Sequence, residues 1–220
     1  WSMMESVEIA KERGVFELFD KSDMRIGLLP VSGYYTAPAP LEMWDILAES
    51  MEEYGIRNVL NTTVAPTGSI SMIAECSNGI EPNFALVFKK SVAVGDFYFT
   101  NELLKKELDK LGLLNDDNLG KIANNGGSLK GLDFIPHNLK TIFITAMDID
   151  FKDHIRTQSV WQKWIGNSIS KTINMPENAT KQDVLDAYIL AHELGCKGLT
   201  VYRDKSRENQ VLHVKKEEVK

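Results

Sequence analysis

The sequence has few cysteines, no excess of positive charge and no long apolar run, and each shortage excludes a class of protein. Its 220 residues include only two cysteines, Cys76 and Cys196, too few for a disulfide framework or a metal-binding spacing. A reducing, cytoplasmic setting is therefore expected. The net charge of −6 and the pI of about 5.3 argue against nonspecific nucleic-acid binding. The pattern predicts neither a signal peptide nor a membrane span, so no membrane partner is expected.

The pattern of apolar residues predicts an α/β domain. Apolar residues make up 43% of the chain, which favours a packed core over disorder. Predicted helices and strands follow one another in an order typical of parallel α/β packing. The predicted helices are Ser2–Arg13, Leu41–Tyr54, Asn101–Leu111, Asp153–Ile165 and Thr180–Leu194, with a short surface helix within 115–131, and the predicted strands are Arg57–Val64, Ala85–Val94, Asn167–Asn174 and Leu199–Tyr202. Residues 204–220 are highly charged and are expected to form a surface tail.

A tight turn between a predicted strand and a predicted helix is the candidate binding site. The turn Pro66-Thr67-Gly68-Ser69-Ile70 separates the apolar run 59–64, predicted to be a buried strand, from a short apolar helix that ends near Ala74. Proline ends the strand, glycine lets a partner approach the backbone, and Ser69 is placed to cap the helix. Unpaired amides at a helix start attract anions, which favours a phosphate site. An ordinary capped turn is the alternative.

A second polar loop follows this helix directly. The segment 76–84 contains Gly79, Pro82 and a single carboxylate, Glu81. Two polar loops on either side of one short buried helix suggest the floor of a pocket. Glu81 either supplies a carboxylate to that pocket or accepts hydrogen bonds within its own loop. The polar run Asn167–Asn174 is open to two interpretations as well, a strand that lines a cavity or a strand at a solvent-facing edge.

No residue of the chain is predicted to be catalytic. A reactive thiol requires a nearby base or the positive end of a helix, and Cys76 follows its predicted helix instead of preceding it. Cys196 is expected to be buried and inert. The four histidines show neither metal-ligand spacing nor a nucleophile partner, so no metal site is predicted.

The turn and the loop after it resemble the phosphate-binding corner of ribonucleotide reductase large chains, above all the adenosylcobalamin-dependent class. The likeness lies in Ala-Pro-Thr-Gly-Ser-Ile-Ser, which begins at Ala65, and in Ser-Asn-Gly-Ile-Glu-Pro, which begins at Ser77. Segments 6–20, 162–176 and 195–203 are also similar to the family, in the same order. The resemblance implies the C-terminal portion of a ten-stranded α/β barrel over residues 1–203, incomplete in this chain. It also implies that Pro66, Thr67, Gly68, Ser69 and Ile70 hold substrate phosphates.

The resemblance implies part of a ribonucleoside-diphosphate reductase, which replaces the ribose 2′-hydroxyl with hydrogen by radical chemistry. The implied cofactor of the parent enzyme is adenosylcobalamin, and the implied reductant is a thioredoxin-like or glutaredoxin-like protein. In the iron-dependent class, two adjacent tyrosines of the last strand relay the radical to the active site. Thr200 and Val201 occupy that place here, and Tyr202 comes one position later, so the cobalamin-dependent class is favoured.

The sequence departs from the family in what it lacks. The family's radical cysteine lies in an Asn-x-Cys-x-Glu loop, and no such motif occurs here; the reducing cysteine pair is absent as well. We therefore expect a truncated fragment or a split subunit that is inactive alone and needs the remainder of the catalytic chain as its partner. The alternative from another class is a non-catalytic module that binds a phosphate ligand.

Overall fold

The fold was determined from a computed structural model, which describes residues 1–74, 76–92 and 95–206. Helices dominate this part of the chain, and short strands form two separate pairs. The helices are α1 (Ser2–Arg13), α2 (Ser32–Tyr35), α3 (Glu42–Tyr54), α4 (Gly68–Ile73), α5 (Glu102–Lys110), α6 (Asp116–Asn124), α7 (His137–Ile142), α8 (Phe151–Gln162) and α9 (Lys181–Glu193), with 3-10 turns at Phe19–Lys21, Asp23–Ile26 and Ala146–Asp148. The strands are β1 (Val87–Val92), β2 (Gly95–Thr100), β3 (Thr172–Met175) and β4 (Thr200–Arg203). The predicted tail beyond residue 206 and the predicted strand end at 93–94 lie outside the described residues.

Local sequence signals fix the ends of the long helices. At the start of α9, the Thr180 hydroxyl accepts a hydrogen bond from the Asp183 amide at 3.2 Å, and the Asp183 carboxylate accepts one from the Thr180 amide at 2.7 Å. A threonine followed three residues later by an acidic residue is the sequence signal for this reciprocal cap. Helix α3 ends at Gly55, whose φ of 74° is unfavourable for other residues. A Cβ at Gly55 would also lie 2.2 Å from Val15 Cγ1, so only glycine fits there.

The parallel pair β3–β4 confirms the predicted α/β packing at the end of the chain. Helix α9 connects the two strands, and Ile173 pairs with Val201 in their register. An isolated parallel bridge between Val64 and Ile169 brings the segment before α4 to the other side of β3. These contacts form a short parallel array of three segments, and the described residues contain no closed barrel.

The antiparallel pair β1–β2 was not predicted. The sequence indicated one extended segment, Ala85–Val94, and no partner strand. In the structure, β1 pairs with Gly95–Thr100, so that Phe88 lies opposite Phe99. Their rings stack at 5.1 Å between centroids. A cross-strand aromatic pair of this kind stabilises a hairpin.

The buried apolar side chains form three clusters. The first joins α1, α3 and the segment 19–31, the second joins β1 with α5, α6 and α7, and the third joins α8, α9, β3 and β4. The short helix predicted within 115–131 is α6, which exposes Asp117 and Lys121 to solvent and packs Leu119 and Ile122 into the second cluster. The third cluster holds the β3–α9–β4 unit together beside α8.

The segment before α4 and α4 itself were predicted to be buried, and both are exposed. Val59 and Leu60 are about half exposed, and the predicted strand Arg57–Val64 is reduced to the bridge at Val64. In α4, Ile70 is 63% exposed and Ile73 is 84% exposed. Apolar residues predict burial only where another element covers them, and no described element covers these.

Helix α8 buries a different face from the predicted one. The sequence of the predicted helix Asp153–Ile165 indicates that Ile155, Val160, Trp161, Trp164 and Ile165 are buried. Ile155 is buried, whereas Val160, Trp161 and Trp164 are exposed. The buried face instead carries polar residues: His154, Gln158, Ser159 and Gln162, beside Ile155. The Gln158 amide donates to the Gly198 carbonyl at 2.7 Å, and Gln162 Oε1 accepts from the Lys197 amide at 3.3 Å. These side chains form hydrogen bonds with the backbone of the loop before β4, which apolar side chains could not do.

No described helix has both the length and the apolar character needed to cross a bilayer.

Candidate phosphate-binding site

The predicted turn is a strained corner at the start of α4. Thr67 occupies the position before the helix with φ 47° and ψ 22°, a left-handed conformation that is rare for a β-branched residue. The Ser69 cap was predicted wrongly, because Ser69 lies within α4 and the Thr67 side chain does not cap the helix. Instead, Thr67 Oγ1 accepts a hydrogen bond from the Gly79 amide at 3.1 Å. The hydroxyl therefore ties the corner to the second loop and leaves the helix start uncapped.

The corner presents a row of backbone amides without protein acceptors. Among the described residues, no hydrogen bond is made by the amides of Thr67, Gly68, Ser69 and Ile70; the first paired amide is that of Ser71, which donates to the Thr67 carbonyl at 3.0 Å. Gly68 has an ordinary φ, and a Cβ built on it would meet no atom within 4 Å. Neither strain nor packing within the chain therefore requires glycine at this position. Open space beside unpaired amides is suited to an anion.

The second loop is fastened to β3 by Glu81. Glu81 Oε2 lies 2.6 Å from Lys171 Nζ, and Glu81 Oε1 accepts the amide of Thr172. The Lys171 side chain is 1% exposed, and its Nζ also donates to the Thr172 carbonyl at 2.6 Å. Of the two interpretations of Glu81, the acceptor is therefore the better one, although its partners lie on a distant strand and not in its own loop. Desolvation lowers the pKa of the Lys171 ammonium, and the Glu81 carboxylate partly offsets that effect.

The sequence analysis did not identify Lys171 as a buried residue, although the alternation of residues around it indicates burial. Ile169, Lys171, Ile173 and Met175 occupy alternate positions, and all four are buried. Alternation in a strand places such residues on one face, so a lysine among them requires a buried carboxylate partner. The polar positions Ser168 and Ser170 between them are exposed, whereas Asn174 is buried; β4 and the Val64 segment flank the run 167–174, so it is not a solvent-facing edge.

A third contact fixes the end of the second loop. The Asn83 carbonyl accepts the Ala146 amide at 2.8 Å, and the Ala146 carbonyl lies 2.9 Å from His154 Nε2. His154 is buried, and burial is the main cause of its lowered pKa. A neutral imidazole that donates to a carbonyl fits this position, so His154 is a satisfied buried group and not a ligand.

The two cysteines differ in exposure. Cys76 is exposed and lines a cavity of about 740 Å³ that extends towards Phe88, Phe99 and Asn101. None of the residues 66–70 lines this cavity, but Ser71 of α4 and Ser77 and Asn83 of the second loop do. Cys196 is half-buried, and desolvation raises the pKa of its thiol, which makes the thiolate less accessible. Among the described residues, no group of three or more His, Cys, Asp or Glu could hold a metal ion.

The fold and the corner define an α/β domain with one parallel β–α–β unit and a loop-to-helix corner beside it. The family model of the ribonucleotide reductase barrel domain matches residues 1–202 of this chain. The chain belongs to the ribonucleotide reductase family, as part of its barrel domain.

Curated relatives lead to the same family. The chain is 43% identical over 164 residues to the vitamin B12-dependent ribonucleoside-diphosphate reductase of Thermoplasma acidophilum, an alignment that covers 73% of this chain and 21% of that protein. It is 36% identical over 193 residues to the vitamin B12-dependent ribonucleotide reductase of Rhodopirellula baltica, covering 83% of this chain and 19% of that protein. The chain thus spans about a fifth of the length of these relatives.

A solved structure shows the same fold. The class Id ribonucleotide reductase alpha subunit of Actinobacillus ureae superposes with a TM-score of 0.65 at 24% identity. The match covers 92% of this chain and 31% of that one. At this identity the comparison supports the fold alone, and it agrees with a partial barrel.

Proposed function

We propose that this chain is the C-terminal part of the ten-stranded barrel of a ribonucleoside-diphosphate reductase, and that Pro66, Thr67, Gly68, Ser69 and Ile70 bind the diphosphate of its substrate. Residues 1–203 would form the barrel part and residues 204–220 a charged surface tail. The remainder of the catalytic chain, either joined to this one or supplied as a separate subunit, would complete the barrel and bring the radical cysteine. We call that complete protein the assembled reductase.

The open row of amides at the corner supports this role for the substrate phosphates. Four consecutive amides have no described acceptor, and the helix that follows adds the positive end of its dipole. Thr67 directs its hydroxyl to Gly79, so it does not occupy the site as a cap would. Gly68 leaves space for a phosphate oxygen to reach the backbone.

The radical source of the assembled reductase would be adenosylcobalamin, the cofactor class in the names of the curated relatives. The last strand, β4, fits such a source because it carries no adjacent tyrosines: Thr200 and Val201 stand in the place of the relay pair, and Val201 packs in the third apolar cluster. Adenosylcobalamin supplies a radical by homolysis of its cobalt–carbon bond when bound. We assign no residue of this chain to holding it. A thioredoxin-like or glutaredoxin-like protein would supply the reducing electrons.

Replacing Gly68 with valine tests the corner. Valine would fill the open space without backbone strain from φ, so it should block the approach of a phosphate and leave the fold intact. We expect the dissociation constant of cytidine diphosphate from the assembled reductase to rise at least about tenfold, equivalent to about 1.4 kcal/mol. The affinity for cytidine, which has no phosphates, should change little. Isothermal titration calorimetry measures both.

Gly198→Val is the matched control, because Gly198 also has an ordinary φ and no atom within 4 Å of a built Cβ, and it lies in the loop before β4. It should leave the affinity for cytidine diphosphate within about twofold of the parent value. Unchanged binding of the diphosphate by the Gly68→Val variant would contradict the proposed phosphate site.

A further inference from the structure

Glu81 and Lys171 form a buried connection between the second loop and β3. The carboxylate contacts both the Lys171 ammonium, at 2.6 Å, and the Thr172 amide, so both of its oxygens are engaged at the start of β3. Glu81 itself is 14% exposed in its side chain, whereas Lys171 is almost completely buried. Among the ion pairs of the described residues, this one has the most buried lysine and joins the most distant segments.

Short contacts continue from Glu81 to the corner. The Glu81 amide donates to the Asn78 carbonyl at 3.0 Å, and the Asn78 side chain donates to the Pro66 carbonyl at 3.2 Å. The next residue, Gly79, donates its amide to Thr67 Oγ1. A Cβ on Gly79 would come within 3.1 Å of the Ala65 carbonyl oxygen, so the loop lies directly against the corner. A shift of Glu81 would therefore be transmitted to Pro66 and Thr67.

On its other side, the segment before the corner is held to the run that leads into β3 by backbone hydrogen bonds and by the Thr63 hydroxyl, which donates to the Ser168 carbonyl at 2.9 Å. The Ser170 amide donates to the Val64 carbonyl at 2.9 Å, next to the parallel bridge between Val64 and Ile169. The corner thus lies between two attachments to one continuous run, at positions 167–170 and at positions 171–172, where β3 begins. Two attachments determine both the place and the orientation of the intervening turn, whereas one attachment would leave it free to rotate.

Stability of the fold alone does not account for a buried lysine in this place. An ion pair taken out of water gains little over an apolar pair of the same size, because desolvation of both charges opposes their attraction. The neighbouring buried positions Ile169, Ile173 and Met175 are apolar, so the strand accepts apolar residues on this face. The pair fixes the position of the second loop, because the Glu81 carboxylate must lie where both the Lys171 ammonium and the Thr172 amide can reach it.

We propose that Glu81 and Lys171 are positioning residues that hold the second loop against β3 and thereby orient the amides of the corner for the substrate phosphates. This inference rests on the proposed function, since it requires that the corner bind phosphate. Neither residue would touch the substrate. Their effect would reach it through Asn78 and Gly79.

The test compares Glu81→Gln, Lys171→Met and the double variant in the assembled reductase. Each single variant should raise the dissociation constant of cytidine diphosphate at least about tenfold and leave that of cytidine within about twofold. Each should also lower the unfolding temperature, because one buried group loses its charged partner. The double variant leaves no unpaired buried charge, so it should regain most of the unfolding temperature and still bind cytidine diphosphate weakly.

The Glu177–Lys205 pair offers a matched control. It has the same residue types and the same 2.6 Å separation, but both side chains are more than half exposed. Glu177→Gln and Lys205→Met should leave both affinities and the unfolding temperature unchanged. If Glu81→Gln and Lys171→Met do not fold, the double variant and Asn78→Ala carry the test, because Asn78→Ala breaks the next contact without burying a charge.

The outcomes separate this inference from the proposed function. Equal losses of cytidine and cytidine diphosphate binding, or full recovery of diphosphate binding by the double variant, would reduce the pair to a purely structural role and overturn the inference. Unchanged diphosphate binding in the pair variants, with weakened binding in Gly68→Val, would also overturn it and leave the phosphate corner standing. If the parent protein binds cytidine diphosphate no more tightly than cytidine, the proposed function of the corner fails first.

Discussion

Thr67 allows the link between the corner and the second loop to be measured directly. Its hydroxyl accepts the Gly79 amide at 3.1 Å, while its backbone remains in the left-handed region. Thr67→Val keeps the size and the branching of the side chain and removes only the acceptor. Thr67→Ser keeps the acceptor and removes only the methyl group. The two variants together separate the hydrogen bond from the packing of the side chain.

The magnitude follows from the exposure of the loop. Gly79 is exposed, so water can replace the lost acceptor, and the cost should be that of an ordinary hydrogen bond, about 1 kcal/mol. A loss of about 1 kcal/mol in local opening free energy speeds amide exchange roughly fivefold where exchange follows local opening. Thr67→Val should therefore accelerate exchange across the 76–83 loop by about that factor. The same variant should weaken binding of cytidine diphosphate, because the left-handed turn loses its support.

Hydrogen–deuterium exchange with mass spectrometry on peptides from the 76–83 loop measures this effect in the assembled reductase. Thr67→Ser is the control and should exchange within about twofold of the parent rate. Peptides from α9 should be unaffected by either substitution. Equal exchange in the valine and serine variants would show that the hydroxyl does not hold the loop, and the reasoning would be refuted.

Two further predictions concern the chain as a whole and its last strand. This chain alone should aggregate, because Val59, Leu60, Ile70 and Ile73 are exposed and both described strand pairs have open edges. It should also reduce no nucleotide by itself. A monodisperse monomer in light scattering that unfolds cooperatively in calorimetry, or nucleotide reduction by this chain with adenosylcobalamin and a dithiol, would contradict this prediction. The assembled reductase should reduce cytidine diphosphate with adenosylcobalamin as its only radical source. Tyr202→Phe should retain activity, because Tyr202 has no adjacent tyrosine with which to relay a radical. A requirement for an iron- or manganese-loaded second subunit, with activity lost in Tyr202→Phe, would refute the class assignment.

Much of the fold could be predicted because its signals are local. The ends of α1, α3 and α9 depend on a glycine or on a cap only three residues away, so the sequence contains all the information needed. The turn at 66–70 shares this property only in part, because Pro66 restricts its own φ locally, whereas the left-handed Thr67 is tied to Gly79 of the second loop. The family resemblance added the order of four such segments, which no single segment could supply.

Exposure could not be predicted in the same way. The apolar residues of 59–64 and of α4 indicate faces that are suited to burial, but not what covers them. The same limitation applies to α8. Its predicted buried face followed from the large apolar residues at 160, 161 and 164, and its glutamines were not expected to be buried. The backbone groups of Lys197 and Gly198, which decided the matter in favour of the glutamines, are more than thirty residues away.

The Glu81–Lys171 pair shows where a distant contact could still have been inferred. The alternating residues Ile169, Ile173 and Met175 place position 171 on a buried face, and a lysine on such a face requires a carboxylate. The loop after the corner carries its only carboxylate, among the described residues, directly before Pro82, where the backbone is restricted to extended conformations. Lys171 has no carboxylate near it in the sequence, and Glu81 has no cation near it in its loop, so the two side chains are complementary. The segment before the corner pairs with the same run, residues 169–175, that carries Lys171. The ion pair and the corner are therefore both attached to this run.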